Sequence, residues 1–259
     1  MSKPISVFGD LLGKKNLLII VSIVLLIAIV ALAYVFLSAP KFLREDVGGK
    51  YQCRIEIIEK DPRGFDIGFV YYLKEGVEYK GGYDSSLKDA LDWIRNNTSD
   101  NAIFLNWWDY GHMVVGYAER ESVIKNPSEE ALISVGNPSS YKELEPHEKI
   151  VDVTKALTTT DENETISIMN KYNATHILVT VVDGAGKATW IFRFAGHNIT
   201  DYMDTSWYYT GPWSYTFDPN MYNELGEKTT IYKILTNAEI AGLTQVYSDE
   251  NVRIYKRST

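Results

Sequence analysis

Three patterns of apolar and polar positions succeed one another along the chain. The first is an unbroken apolar run. Leu17 to Leu37 carries no charge, and only Ser22 and Tyr34 interrupt its aliphatic character. As a helix, at roughly 1.5 Å per residue, it would be about 31 Å long, the thickness of a bilayer core. Lys14 and Lys15 precede it, whereas Lys41 and Arg44 follow together with Glu45 and Asp46. The pattern predicts a transmembrane helix over 17–37, a cytoplasmic tail over 1–16, and single-pass placement in a cell membrane with the C-terminal domain external. A cleaved signal peptide fits less well. Its apolar core is usually about 7–15 residues, and Pro40 stands where a cut would fall.

The second pattern is alternation. After a linker over 38–50, Tyr51, Cys53, Ile55 and Ile57 share one face of a strand that ends at Asp61-Pro62-Arg63-Gly64,. Phe65 to Leu73 returns beside it as a hairpin. The third pattern is helical spacing. Leu87, Ala90, Leu91 and Ile94 recur with Trp93 beside them, behind a Ser85 or Ser86 cap,. A short strand, Ala102 to Leu105, follows. Thr160 to Tyr172 reads as a helix, Ile177 to Val182 as a buried strand, and Lys187 to Ala195 as another helix. Thr229 to Leu235 and Val252 to Lys256 read as strands. Residues 201–222, rich in Tyr and Trp, read as an ordered aromatic loop. Helices and strands interleave, so an α/β or α+β mixed external domain is expected over 51–259, following the one N-terminal transmembrane helix.

Composition narrows the function classes. Acidic residues outnumber basic ones, 34 to 26, for a formal charge of -8, and aromatics make up 13%. Disordered chains have little to bury, and nucleic-acid binders need a basic face, so both classes are excluded. The lone Cys53 leaves no internal disulfide and no cysteine-rich metal site,. On a strand's inward face it is expected to be packing.

The densest chemistry is Asn106-Trp107-Trp108-Asp109-Tyr110-Gly111-His112, just past a buried strand. A loop at a strand end is a common place for a recognition site. Indole N–H groups donate and a carboxylate accepts, so the two together suit a hydroxyl ligand. Aromatic walls exclude water, and a ligand without the hydroxyl would leave polar groups unpaired. The plainer alternative makes the tryptophans core anchors and the aspartate a turn cap. Other features carry less. The four histidines lack zinc-binding spacing, and Gly184 and Gly186 do not form a phosphate loop,. Asp109 with Glu119 or Glu121 is only formally a glycosidase pair. Flat rings at Trp207 to Trp213 would offer a sugar-stacking surface.

The pentapeptide Trp107-Trp108-Asp109-Tyr110-Gly111 resembles the signature of the oligosaccharyltransferase catalytic subunit, the membrane enzyme of asparagine-linked glycosylation. Upstream, SLKDALDWIRNNTSDNAIFLNWWDYG is similar to that family's approach to the motif. Downstream, TKALTTTDENETISIMNKYNATHILV and VYSDENVRIYKR resemble later segments of the central core domain, in an archaeal style. The likeness runs from about Ser85 to Lys256. It implies that Trp107, Trp108 and Asp109 bind the Ser/Thr hydroxyl of an Asn-X-Ser/Thr acceptor peptide, while Tyr110 and Gly111 shape the turn. A second family motif is best matched by Asp183 to Ile191. It implies acceptor-binding roles for Lys187 and Ile191, although Asp183 stands one residue too far from Lys187.

Complete relatives hold a lipid-linked donor and a divalent metal (Mn or Mg) in a many-span region. The resemblance therefore implies that this chain reads the acceptor and does not transfer glycan alone. No cofactor is expected in the chain itself, and no catalytic or metal-binding residue is assigned. A multispanning membrane subunit is a candidate partner. The alternative is a membrane-tethered binding or scaffold protein that keeps the fold without reading the acceptor.

Overall fold

The computed structural model describes residues 19, 21–29, 43–126, 133–135, 144–204 and 216–258. It divides into two compact units, Met1–Phe42 and Leu43–Thr259. In the first unit, residues 21–29 form helix α1. At roughly 1.5 Å per residue the described stretch 21–29 accounts for about 14 Å, against the ~30 Å of a hydrocarbon core,. Among the described residues no helix is long and apolar enough to cross a membrane. The expected transmembrane helix over 17–37, and the single-pass cell-membrane placement drawn from it, are corrected accordingly. An uncharged run supplies apolarity, but spanning also requires continuous helix length. Positions 17, 18, 20 and 30–37 of that run lie outside the described residues.

The second unit is mixed α/β and contains two main sheets and a two-stranded antiparallel pair, β7 (Ile133–Val135) with β8 (Leu144–Pro146). The first is an antiparallel meander, β1 (Leu43–Gly48), β2 (Cys53–Lys60), β3 (Asp66–Lys74) and β4 (Val77–Asp84), paired in that order. The expected hairpin is β2–β3, with Ile55 opposite Val70. Its inward face is Cys53, Ile55, Val70 and Tyr72, all buried. Burial pushes the Cys53 thiol up to about 12, so the thiolate that would make it reactive is suppressed,. Strand β4 alternates too, but Gly81 and Gly82 hide it from a hydrophobicity reading. Gly81 is required by packing, because a Cβ there would lie 2.2 Å from Cβ of His112.

The second sheet is mixed, in the order β10 (Leu243–Ser248), β11 (Val252–Arg257), β9 (His176–Thr180), β5 (Ile103–Asn106) and β6 (Glu121–Ser122). Its centre is β5 and β9, which run parallel with Asn106 opposite Leu178. Strand β6 is parallel to β5, whereas β11 and β10 are antiparallel additions. Every residue of β9 is buried. A short parallel strand covered on both faces reads as a continuous apolar run, and this one did.

The helices are α2 (Lys88–Asn97), α3 (Gly111–Gly116), α4 (Glu148–Thr158), α5 (Glu162–Lys171), α6 (Ala188–Phe194) and α7 (Thr230–Leu235). Helix α5 starts where the Asp161 carboxylate accepts from Asn163 N–H, and ends near Asn173, whose φ of 52 is the left-handed turn that Asn tolerates,. Residues Thr229–Leu235, expected as a strand, are a correction. Thr229 instead caps α7, which buries Ile231, Ile234 and Leu235. β-branched content favoured a strand, but apolar spacing of three and four fits the face that packs inward. The carbohydrate surface expected at Trp207 to Trp213 lies outside the described residues.

His176, on β9, stacks on Phe104 at 4.9 Å. Burial holds its imidazole down at about 4, and Lys256 adds to this. Between that value and the ordinary 6.5 the unfolded chain binds the extra proton, so stability falls as pH drops through this window. We expect a loss on the order of 2–3 kcal/mol from this group. Denaturant melts at neutral pH and near pH 4 would show it, and His176→Gln should flatten that part of the slope.

Candidate functional site

The site arises because β5 and β9 are parallel neighbours. Their C-terminal ends lie side by side, so the segments that leave them converge, the usual place for a crevice in such sheets. Strand β5 delivers Trp107 through Tyr110, and β9 delivers Val181 through Lys187. The turn at the first is secured from within. The buried Asn106 amide donates to Trp107 O at 2.7 Å, and Ser122 Oγ donates to Asn106 Oδ1 at 2.9 Å. A single 3-10 turn, Trp108–Tyr110, then leads directly into α3. Gly111 is needed there, since a Cβ would stand 2.1 Å from Ile124 O and 2.4 Å from Lys125 Cα.

The two tryptophans take different places. Trp107 is 2% exposed and belongs to the core. Trp108 lies over it, ring centroids 3.7 Å apart, and meets the edge of Phe194 at 5.4 Å. Trp108 then faces an open cleft of about 300 Å³. Asp109, Tyr110 and Lys187 line the same cleft. Its other walls are Gly82, Tyr83 and Asp84 at the end of β4, His112 and Met113 on α3, and Lys125 and Asn126.

Lys187 Nζ lies 2.7 Å from Asp109 Oδ2, with 26% and 42% of the two side chains exposed. The ammonium also donates to Tyr110 OH at 2.9 Å. Tyr110 OH donates in turn to Asp183 Oδ1 at 2.7 Å and meets Thr180 Oγ1 at 2.7 Å. Thr180 N–H donates to Asp183 Oδ2 at 2.8 Å. Burial raises the Asp183 carboxyl to about 6 against the pull of Lys187, and burial together with Asp183 raises the Tyr110 phenol well above its ordinary range.

Of the residues expected from sequence, Trp108, Asp109, Tyr110 and Lys187 meet at this cleft. Gly111 sits beneath it, where the chain of Ile124 and Lys125 passes closely. Trp107 is behind Trp108. Ile191 is fully buried one helical turn beyond Lys187 and does not line the cleft. Lys125, Asn126 and Tyr83 gave no signal in sequence, because nothing local distinguishes them from ordinary loop and strand residues. Asp183 did carry one, but its offset from Lys187 counted against it. In space the offset is absorbed by the turn after β9, and the residue connects to Lys187 through Tyr110.

The site does not fit a cation. Among the described residues no group of three or more His, Cys, Asp or Glu is placed to hold a metal ion. Asp109 already faces an ammonium. The divalent metal implied for complete relatives is therefore given no role in any step here. Nor does a glycosidase pair form. Glu119 engages Arg95 and Glu121 engages Lys74, and neither lines the cleft.

Fold and site together define a mixed α/β domain with a small polar cleft, walled by an aromatic ring and floored by a carboxylate–ammonium pair. No family model matches the chain. Among curated proteins, it is 27% identical over 205 residues to the dolichyl-diphosphooligosaccharide–protein glycosyltransferase subunit stt-3 of Caenorhabditis elegans, covering 66% of this chain and 25% of that protein. It is 32% identical over 96 residues to dolichyl-phosphooligosaccharide-protein glycotransferase 2 of Pyrococcus furiosus, covering 35% of this chain and 13% of that protein. These sequence matches make the chain a homologue of the oligosaccharyltransferase family. It spans a quarter or less of the length of these two relatives.

Among solved structures, the C-terminal globular domain of an oligosaccharyltransferase from Archaeoglobus fulgidus aligns with a TM-score of 0.45 at 18% identity, covering 66% of this chain and 95% of that one. An Archaeoglobus fulgidus oligosaccharyltransferase tethered to an acceptor peptide with an Asn-Val-Thr sequon aligns with a TM-score of 0.46 at 17% identity, covering 65% of this chain and 24% of that one.

Proposed function

We propose that this domain reads the Asn-X-Ser/Thr acceptor of protein N-glycosylation and does not by itself transfer glycan. The observation that carries the reading is the state of Asp109. It stands partly exposed in a cleft beside an indole, held by one ammonium on one oxygen. A carboxylate has about four acceptor sites, so it still has capacity for a hydroxyl proton. Trp108 supplies both an apolar wall and a donor N–H. Lys187 orients the carboxylate. The glycosyltransferase names of the curated homologues support the same chemistry. In this reading Trp107, Trp108, Asp109, Lys187 and Ile191 form the acceptor-reading group, Trp107 from behind Trp108 and Ile191 from the core one helical turn beyond Lys187, and Tyr110 and Gly111 shape it. A multispanning membrane subunit is the proposed partner that supplies transfer, and co-purification tests that association.

Titration of the purified chain with an Asn-X-Thr peptide and an Asn-X-Ala control tests the reading. The hydroxyl peptide should bind about tenfold more tightly, as expected for one charge-assisted hydrogen bond in a partly dry site. Asp109→Ala should erase the difference while changing the melting temperature only modestly, because the carboxylate is partly exposed,. Equal binding of both peptides by the unmodified chain would favour a scaffold that keeps only the fold. Separately, the chain supplied with lipid-linked donor and divalent metal should form no glycopeptide, and sustained turnover would refute that half of the proposal.

A further inference from the structure

The proposed acceptor site has a buried extension that the reading above does not use. Asp183 is fully buried in the turn after β9, yet it is connected to the cleft through one hydroxyl. The protons around that hydroxyl can be assigned. Tyr110 has one O–H and two acceptor positions. It accepts from Lys187 Nζ, which has only hydrogens to give. An ionised Asp183 can only accept, so Tyr110 spends its proton there. Thr180 Oγ then donates to Tyr110. The directions Thr180 to Tyr110 to Asp183 follow from the charge on Asp183, whereas Lys187 donates to Tyr110 in either state. The second Asp183 oxygen is fixed by Thr180 N–H, so the carboxylate cannot swing away.

We propose that Asp183 is a positioning residue for the acceptor cleft: ionised, it shares the Lys187 ammonium with Asp109 through Tyr110 and leaves Asp109 receptive to a hydroxyl; protonated, it gives the ammonium up to Asp109. This rests on the acceptor reading of the cleft and deepens it. With Asp183 charged, one cation lies between two anions, and neither holds it exclusively. When Asp183 takes a proton, its O–H can donate to Tyr110, the hydroxyl chain reverses, and Asp109 becomes the sole anionic partner of Lys187. An incoming threonine hydroxyl then competes with a tighter ion pair. The charged groups facing Asp183 are Lys187 from the start of α6 and Asp109 from the turn after β5, with Tyr110 beside it. The Arg63–Asp84 ion pair lines the small cavity of about 70 Å³ shared with Tyr110, Thr180 and Lys187.

The experiment is a pH series of Asn-X-Thr affinity on the full chain, from about pH 7.5 to about pH 5. Affinity should fall about three- to tenfold toward acid, with an inflection near 6, where burial places this carboxyl,. Asp183→Asn should be flat across the range, near the acid plateau. Tyr110→Phe removes the hydroxyl that connects Asp183 to Lys187, so it should abolish the step. It also decides the matter if Asp183→Asn fails to fold, because a merely structural role for Asp183 would leave no pH step that depends on this hydroxyl. His112 also lines the cleft, and Asp183→Asn leaves it in place as the control for any contribution from it. A step that survives Asp183→Asn or Tyr110→Phe overturns the proposal. A wild-type chain that prefers Asn-X-Thr over Asn-X-Ala with no step at all overturns this inference alone. One that shows no preference at about pH 7.5 overturns the acceptor reading and this inference with it.

Discussion

Trp107→Ala should be among the most damaging single changes in the domain, lowering stability by about 3–5 kcal/mol. The ring is 2% exposed, stacked under Trp108 and 6.3 Å from Phe194. Removing it leaves a cavity between the end of the parallel strands and the packed helix α6, where neither neighbour can collapse freely. For a domain of this size, such a loss lowers the melting point on the order of 10 °C. Trp108→Ala should cost clearly less, about 1–2 kcal/mol, because that ring is already partly in water. Thermal melts of the two variants side by side measure the difference. Equal losses would contradict the division into a sealed ring and a cleft-facing ring. Trp107→Phe should recover part of the stability, since it keeps an aromatic surface under Trp108.

Gly111→Ala should come next, and it should act on both stability and the cleft. The residue has ordinary helical backbone angles, φ -60 and ψ -41, so alanine meets no conformational penalty. The obstacle is space. The added methyl would lie 2.1 Å from Ile124 O and 2.4 Å from Lys125 Cα, both backbone atoms. Something in the backbone must shift, at a cost of about 1–3 kcal/mol or more. The displaced segment carries Lys125 and Asn126, which help wall the cleft. Thermal melting should therefore show a loss of several degrees, and Asn-X-Thr affinity should fall together with it. Gly82→Ala is the natural control. It lies on the same cleft, but a methyl there meets nothing within 4 Å, so its stability should change little.

Much of the second unit was legible in the chain because its periodicities are local. The β2–β3 hairpin, α5, β9 and α6 each bury one face or the whole element, and the order of apolar residues declares it. Elements whose pattern is weak or mixed were misread or missed. Thr229–Leu235 has a strand's composition but a helix's spacing. Strand β4 carries glycines where a strand normally carries bulk, because α3 packs against it. Strand β10 shows no strand pattern in the chain, since only Leu243 of its six residues is buried. The run over 17–37 is apolar throughout, yet among the described residues no helix is long and apolar enough to cross a membrane.

The sequence by itself determined the chemical inventory of the site. Two indoles, a carboxylate and a phenol follow a buried strand, and a lysine opens a helix after a second strand. These are one-dimensional facts, written in residue type and spacing. Only the tertiary structure decided how they divide. Parallel pairing of β5 with β9 brings two loops separated by some seventy positions to one crevice. It seals Trp107, exposes Trp108 and Asp109, and puts Lys187 between a surface carboxylate and a buried one. No local pattern encodes that partition. It depends on which strand ends are neighbours, and therefore on the packing of the whole sheet.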